Sequence, residues 1–246
     1  MITDHVNLPS VISGSVTLSK RLTPTLLTDQ VYAALREAIM SGELPAGSRL
    51  RVRDLAEQVG TSVMPVREAI RRLEEAGLAE REPHKGAVVK TLTLEELVHV
   101  YDVRRLLEGE AARLGAERIT ADECERMQAE YDAVVAAIRE RHAIGLLDRD
   151  EAMLTILYSA SGNPVLVDTI RTLWQHCRAY KIVGAQGSLD AGDTDGVWRY
   201  QHDLLTAARN QDGAAALSVS DASLDDASRR VRASLAEQNG ETAEEA

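Results

Sequence analysis

The chain has 246 residues, 44% hydrophobic and 27% charged, with a formal net charge of -11, two cysteines and no phenylalanine. That composition is of a globular protein with a sizeable aliphatic core. It excludes a disulfide scaffold, a collagen-like chain and an extended low-complexity chain, and no apolar run approaches the roughly 18 residues of a membrane span. The charge is divided unevenly: residues 20–92 hold twelve Lys/Arg and ten Asp/Glu, residues 93–246 sixteen and twenty-eight, so any polyanion partner belongs to the front part.

Residues 1–24 are rich in Ser, Thr and Val without a sustained period and are expected to form a flexible arm. Their start has neither a basic stretch nor an apolar h-region, so no secretory signal is expected. From Thr28 the apolar positions Val31, Leu35, Ala38 and Ile39 share a helical face, and Gly42 closes the helix. After the turn-rich "GELPAGSRL" a short helix over Arg53–Val59 is expected to bury Leu55, Ala56 and Val59. A two-residue "TS" turn then leads into "VMPVREAIRRLEEAGL". Thr61 and Ser62 are placed to cap that helix, and Pro65 fits its first turn, where an amide hydrogen is not needed. Val66, Ala69, Ile70, Leu73 and Ala76 form its inner face, and Arg67 and Arg71 lie on the opposite face. "LAEREPHKGAVV" reads as a two-stranded ribbon with a polar tip at Pro83–Gly86 that carries Lys85.

From Thr93 on, only helices are expected. "TLEE" and "TADE" are capping boxes opening helices over Leu94–Glu117 and Ala121–Arg141. Further helices are expected near Leu147–Ser161, from Pro164 to about Val183, over Val197–Gln211 and over Gly213–Ala236. "GAQGSLDAGDTDG" reads as a loop and the acidic residues 236–246 as a disordered tail. The fold class is mainly α: an N-terminal winged helix-turn-helix over 25–92 and a C-terminal all-α bundle of six or seven helices over 93–235. Three short helices followed by a ribbon place the third helix in a DNA major groove.

The stretch "GELPAGSRLRVRDLAEQVGTSVMPVREAIRRLEEAGLAEREPHKGAVV" resembles the DNA-binding domain of GntR-family bacterial transcription regulators. "VRRLLEGEAARLGA" and "LYSASGNPVL" resemble the FCD effector domain of the FadR subfamily. The resemblance implies DNA contacts at Arg53 and Arg67, a base-facing turn at Thr61, Ser62, Val63 and Met64, and a wing tip at Gly86. Many relatives have arginine where this chain has Val63. Valine cannot donate to guanine but packs on a thymine methyl.

For the helical part the resemblance implies a homodimer around a small-molecule pocket, with a small organic acid as effector, often held on a metal in relatives. Arg104 is the candidate carboxylate anchor through its fork of donors; the alternative is an ion pair with Glu108, four residues on. The metal site of relatives uses an Asp and three His. The Asp corresponds to Asp150, but Leu154, Gln201 and a position near Ser223 stand where the histidines are expected, so no metal and no cofactor are expected. His202, one residue from Gln201, is turned about 100° away. His176 is a candidate for the cavity wall beside Arg178 and Tyr180. The expected function is a cytoplasmic, ligand-responsive repressor that binds operator double-stranded DNA and no membrane. The rivals are a metal-dependent regulator using Asp150 and His202, an architectural DNA binder without a cavity, and an enzyme. Against the last, no nucleophile–base constellation or phosphate loop is found.

Overall fold

The computed structural model describes residues 26–192 and 195–244; the expected N-terminal arm lies outside them. The order is α1 (Leu26–Met40), α2 (Val52–Gln58), α3 (Val63–Glu75), β1 (Ala79–Glu82), β2 (Gly86–Val89), α4 (Leu94–Ala116), α5 (Ala121–Arg139), α6 (Ala143–Ser159), α7 (Pro164–Ala191), α8 (Asp195–Arg209) and α9 (Gly213–Glu244). The mainly α class and the winged helix-turn-helix followed by a helical bundle are what the sequence predicts.

In the head, Val31, Leu35 and Ile39 of α1 meet Leu55 and Ala56 of α2 and Val66, Ala69, Ile70 and Leu73 of α3 in one buried cluster. Val59, expected in that core, is 39% exposed: α2 ends at Gln58, and a residue past the last turn leaves the periodic face. The strands pair antiparallel, Ala79 with Val89 through Glu82 with Gly86. The tip bends through His84 (φ 65°) and Gly86 (φ 81°).

Both capping boxes form. Glu96 N donates to Thr93 Oγ1 at 3.1 Å and Glu123 N to Thr120 Oγ1 at 3.3 Å, each glutamate accepting from the threonine amide in return at 2.9 Å. Helix α4 lies deep in the bundle, and its small residues let neighbours approach. A Cβ on Gly115 would sit 2.0 Å from the Leu157 carbonyl oxygen of α6, and one on Gly109 would sit 2.9 Å from Leu217 of α9. The main core joins Ala111, Ala112 and Ala116 to Met127, Leu157, Ile170, Trp174 and Leu205.

Two expectations are corrected. The Gly/Asp-rich stretch after Val183 is not a loop up to Ala191: α7 runs through Gly184 and Gly187 and ends at Gly192, φ 73°. Each helical glycine costs about 1 kcal/mol, but Leu189 and Ala185 pack on Val134, Ala137, Ala143 and Leu146, and that burial outweighs the propensity. The residues expected as a disordered tail continue α9 to Glu244. Extending an established helix avoids the nucleation cost, and Ala, Glu and Gln propagate it well.

Candidate functional site

The first site is the outer surface of the head. Val63 and Met64 open α3 and are 38% and 64% exposed, an unusual place for apolar side chains. Pro65 falls in the first turn, as expected. Ser62 is the N-cap residue, but its side chain accepts no backbone amide, and Thr61 is half-buried in the turn. The expected capping bond is therefore not made, and the first amides of α3 stay available to an outside acceptor. Arg67 is exposed on the same outer face, as is Arg53 at the start of α2, and neither appears in an ion pair among the described residues. Arg71 differs. Its Nε donates to both oxygens of Glu68, at 3.0 Å and 3.2 Å, and its Nη1 donates to Glu75, so its charge is largely neutralised within the helix. Lys85 pairs with Glu82 at 2.5 Å beside the exposed Gly86. Sequence reasoning passed over Arg49 and Arg51, both exposed beside Arg53; the alternation in "RLRVR" was the available signal.

The second site is a cavity of about 350 Å³ inside the helical bundle. Arg104, Asp150 and Gln201 all line it. Arg104 is 4% exposed, and its Nε donates to Glu108 Oε1 at 2.6 Å, so the alternative ion pair is the one formed. Glu108 also accepts from Trp174 Nε1 at 2.9 Å and from the Tyr158 hydroxyl at 3.2 Å. Burial, and then the Glu108 charge beside it, push the Tyr158 hydroxyl well up. Gln201 Nε2 donates to Asp150 Oδ1 at 2.7 Å. Burial raises the Asp150 pKa, with Lys181 and the Gln201 bond opposing it. Lys181, which sequence reasoning missed, pairs with Glu151 at 3.0 Å. Burial disfavours its charge, but Glu151 and Asp150 outweigh that and raise its pKa.

Two expected cavity residues lie elsewhere. His202 is exposed on the outer side of α8, 3.4 Å from Asp203 and against the Tyr131 ring, as one step around a helix from the inward Gln201 requires. His176 faces the head: its Nε2 lies 3.2 Å from the Ala76 carbonyl oxygen. Arg178 does likewise, with Nε donating to the Met40 carbonyl at 3.0 Å, while Nη1 meets Glu151 at 3.0 Å. Glu151 thus touches both Arg178 at the head and Lys181 at the cavity.

The cavity does not fit a divalent transition metal. Asp150, Leu154, Gln201 and Ser223 do line it, but they supply one carboxylate, an amide, a hydroxyl and no imidazole, where such ions take several nitrogen, sulfur or carboxylate donors. The amide presents its N–H rather than its oxygen to Asp150, satisfying the carboxylate where a cation would sit. The shifted pair of Asp150 and His202 fails because Asp150 of α6 lines the cavity while His202 is exposed on the outer side of α8.

The model for "Bacterial regulatory proteins, gntR family" matches residues 27–89, and that for the FCD domain matches residues 99–226. The chain is 44% identical over 98 residues to a protein of Paenarthrobacter nicotinovorans named "Probable D-xylose utilization operon transcriptional repressor", covering 40% of this chain and 43% of that one. It is 28% identical over 148 residues to the transcriptional regulator McbR of Escherichia coli, covering 60% of this chain and 67% of that one. In fold it is similar to the solved structure of E. coli McbR, with a TM-score of 0.73 at 23% identity, over 85% of this chain and 98% of that one. A GntR-type protein from Rhodococcus sp. RHA1 superposes with a TM-score of 0.71 at 23% identity, over 84% and 97%. Among the described residues no helix is long and apolar enough to cross a membrane.

Proposed function

The chain belongs to the gntR family of bacterial regulatory proteins and carries an FCD domain, and from that premise we propose that it is a cytoplasmic repressor binding operator DNA as a homodimer. Its affinity for DNA is set by a small molecule in the bundle cavity. The observation that carries the DNA-binding half is the outer face of α3. Arg67 and the apolar pair Val63 and Met64 stand exposed there, beside Arg53 of α2 and above free helix amides. Arginine forks read guanine or neutralise phosphate, and apolar side chains pack on thymine methyls. Arg71 plays a lesser part, because it must leave Glu68 and Glu75 to reach a phosphate.

The homodimer reading is supported by Leu106 and Val103 of α4, 71% and 45% exposed three residues apart on one face, apolar surface that a second copy would cover. Signal transfer is supported by α7, which touches the cavity through Tyr180 and Lys181 and the head through His176 and Arg178. A bound molecule that favours one position of α7 shifts the population of head orientations, and half-site spacing makes DNA affinity sensitive to that orientation.

The test starts from a duplex selected by the full-length protein from a randomised library. Arg67→Ala should weaken binding to that duplex by about 1–3 kcal/mol while folding and oligomeric state are unchanged. Equal affinity of variant and wild type in a gel shift at fixed salt would refute the interface.

A further inference from the structure

Gln201, on the cavity wall, has a buried side-chain oxygen without a hydrogen-bond partner among the described residues, and its surroundings define what would satisfy it. Gln201 is 7% exposed. Its amide N–H is used by Asp150, and its Oε1 is buried without a hydrogen-bond partner among the described residues. A buried acceptor of this kind is costly until a donor reaches it, so a bound molecule gains by bringing an O–H or N–H to this point.

The charges around it narrow the class. Both cations of the inner cavity are committed, Arg104 to Glu108 at 2.6 Å and Lys181 to Glu151 at 3.0 Å. An incoming carboxylate therefore meets Glu108 and Asp150 with no unpaired cation among the described residues of the inner wall to receive it. Arg230, also on the lining, is exposed at the rim, where water screens an ion pair. An incoming ammonium finds only Asp150, which already accepts from Gln201 and whose charge burial disfavours. An uncharged donor needs no counter-charge. The hydroxyls of Tyr101, Tyr180, Ser220 and Ser223 on the wall both donate and accept, which suits a molecule with several hydroxyls of its own. A volume of about 350 Å³ lies at the small end of the roughly 300–1,000 Å³ range of ligand pockets.

We propose that the cavity takes an uncharged polyhydroxylated molecule of monosaccharide size, one of whose hydroxyls donates to Gln201 Oε1. This rests on the reading that the cavity holds the effector, so binding and DNA release are measured separately. Full-length protein is titrated calorimetrically with xylose, ribose, glucose and mannitol, with succinate and citrate, and with putrescine. Its affinity for the selected duplex is then measured with each compound present.

At least one polyol should bind about tenfold more tightly than any of the ions. Gln201→Met should lose about tenfold or more of that affinity. A carboxylate or putrescine outranking every polyol overturns the proposal, as does a panel in which no polyol binds. That ranking is made on the wild-type protein, so it decides the matter even if Gln201→Met does not fold. A polyol that binds through Gln201 and leaves DNA affinity unchanged upholds the ligand class and refutes the regulatory reading of the cavity.

Discussion

Glu108 provides the sharpest test of how the bundle is held together. It is 2% exposed and accepts from Arg104, Trp174 and Tyr158. Removing its charge strands a guanidinium that is itself 4% exposed, and breaking a buried pair from one side costs about 3–5 kcal/mol. Glu108→Ala also leaves the Trp174 and Tyr158 donors without their acceptor, each worth about 1–3 kcal/mol. These losses overlap at one site, so the expected total is about 5 kcal/mol, a large part of the roughly 5–15 kcal/mol that holds a domain folded. Glu108→Gln retains an acceptor for Trp174 and should cost about 3 kcal/mol. Arg104→Met with Glu108→Gln removes both charges and should recover most of that loss. The assay is urea unfolding at neutral pH, read as the midpoint at constant slope. Glu108→Gln within about 0.5 kcal/mol of wild type, or a double variant no more stable than Glu108→Gln, would refute the reasoning. Where Glu108→Gln folds, its freed Arg104 should also give succinate a foothold that the wild type denies it.

Gly115→Ala would drive a methyl to 2.0 Å from the Leu157 carbonyl oxygen, a backbone atom that cannot swing aside; we expect a loss of about 3 kcal/mol or more by urea unfolding. Leu106→Glu should shift the full-length protein toward monomer in sedimentation without lowering the unfolding midpoint of the monomer. Arg178→Ala removes the contacts to Met40 and Glu151 and should leave ligand affinity intact while reducing the change in DNA affinity that ligand produces. Because burial raises the Asp150 pKa, its contribution to stability is fully present below its unfolded pKa and is lost as pH rises through the folded one. Asp150→Asn, which cannot ionise, should therefore gain on the wild type as pH rises across that window; a difference in unfolding midpoint independent of pH would refute this.

What the sequence made legible was local. Thr93 with Glu96 and Thr120 with Glu123 announce helix starts, because both partners of each bond lie within one turn. The inner face of α3 is read off its spacing, and the outward turn of His202 follows from one residue's rotation past Gln201. The spacing of Arg104 and Glu108 allowed the ion pair. That the pair is buried depends on Trp174 and Tyr158, more than fifty residues away in the case of Trp174, and no local pattern carries that. His176 was misplaced for the same reason: its partner, Ala76, lies 100 positions back. The course of α7 past Val183 was hidden because glycine content signals a loop, while the reason for the helix, Leu189 against Val134 and Ala143, is tertiary.

The two glycines inside α7 set a mechanical property. At 28 residues the helix is a rod of roughly 42 Å, clamped to the head by His176 and Arg178 and to the far wall by Leu189. Between these clamps, Gly184 and Gly187 have nothing within 4 Å of where a Cβ would stand, so alanine fits at both without a clash. Each replacement should stiffen the rod and add about 1 kcal/mol of helix stability. The glycines lie on the Leu189 side of Tyr180 and Lys181, so a compliant section there lets the cavity and head end of the rod move without dragging the far clamp. Response amplitude is then set separately from ligand affinity: Gly184→Ala and Gly187→Ala would tie the moving end to the Leu189 clamp and lower the gain of the switch while leaving every polar contact to the occupant in place.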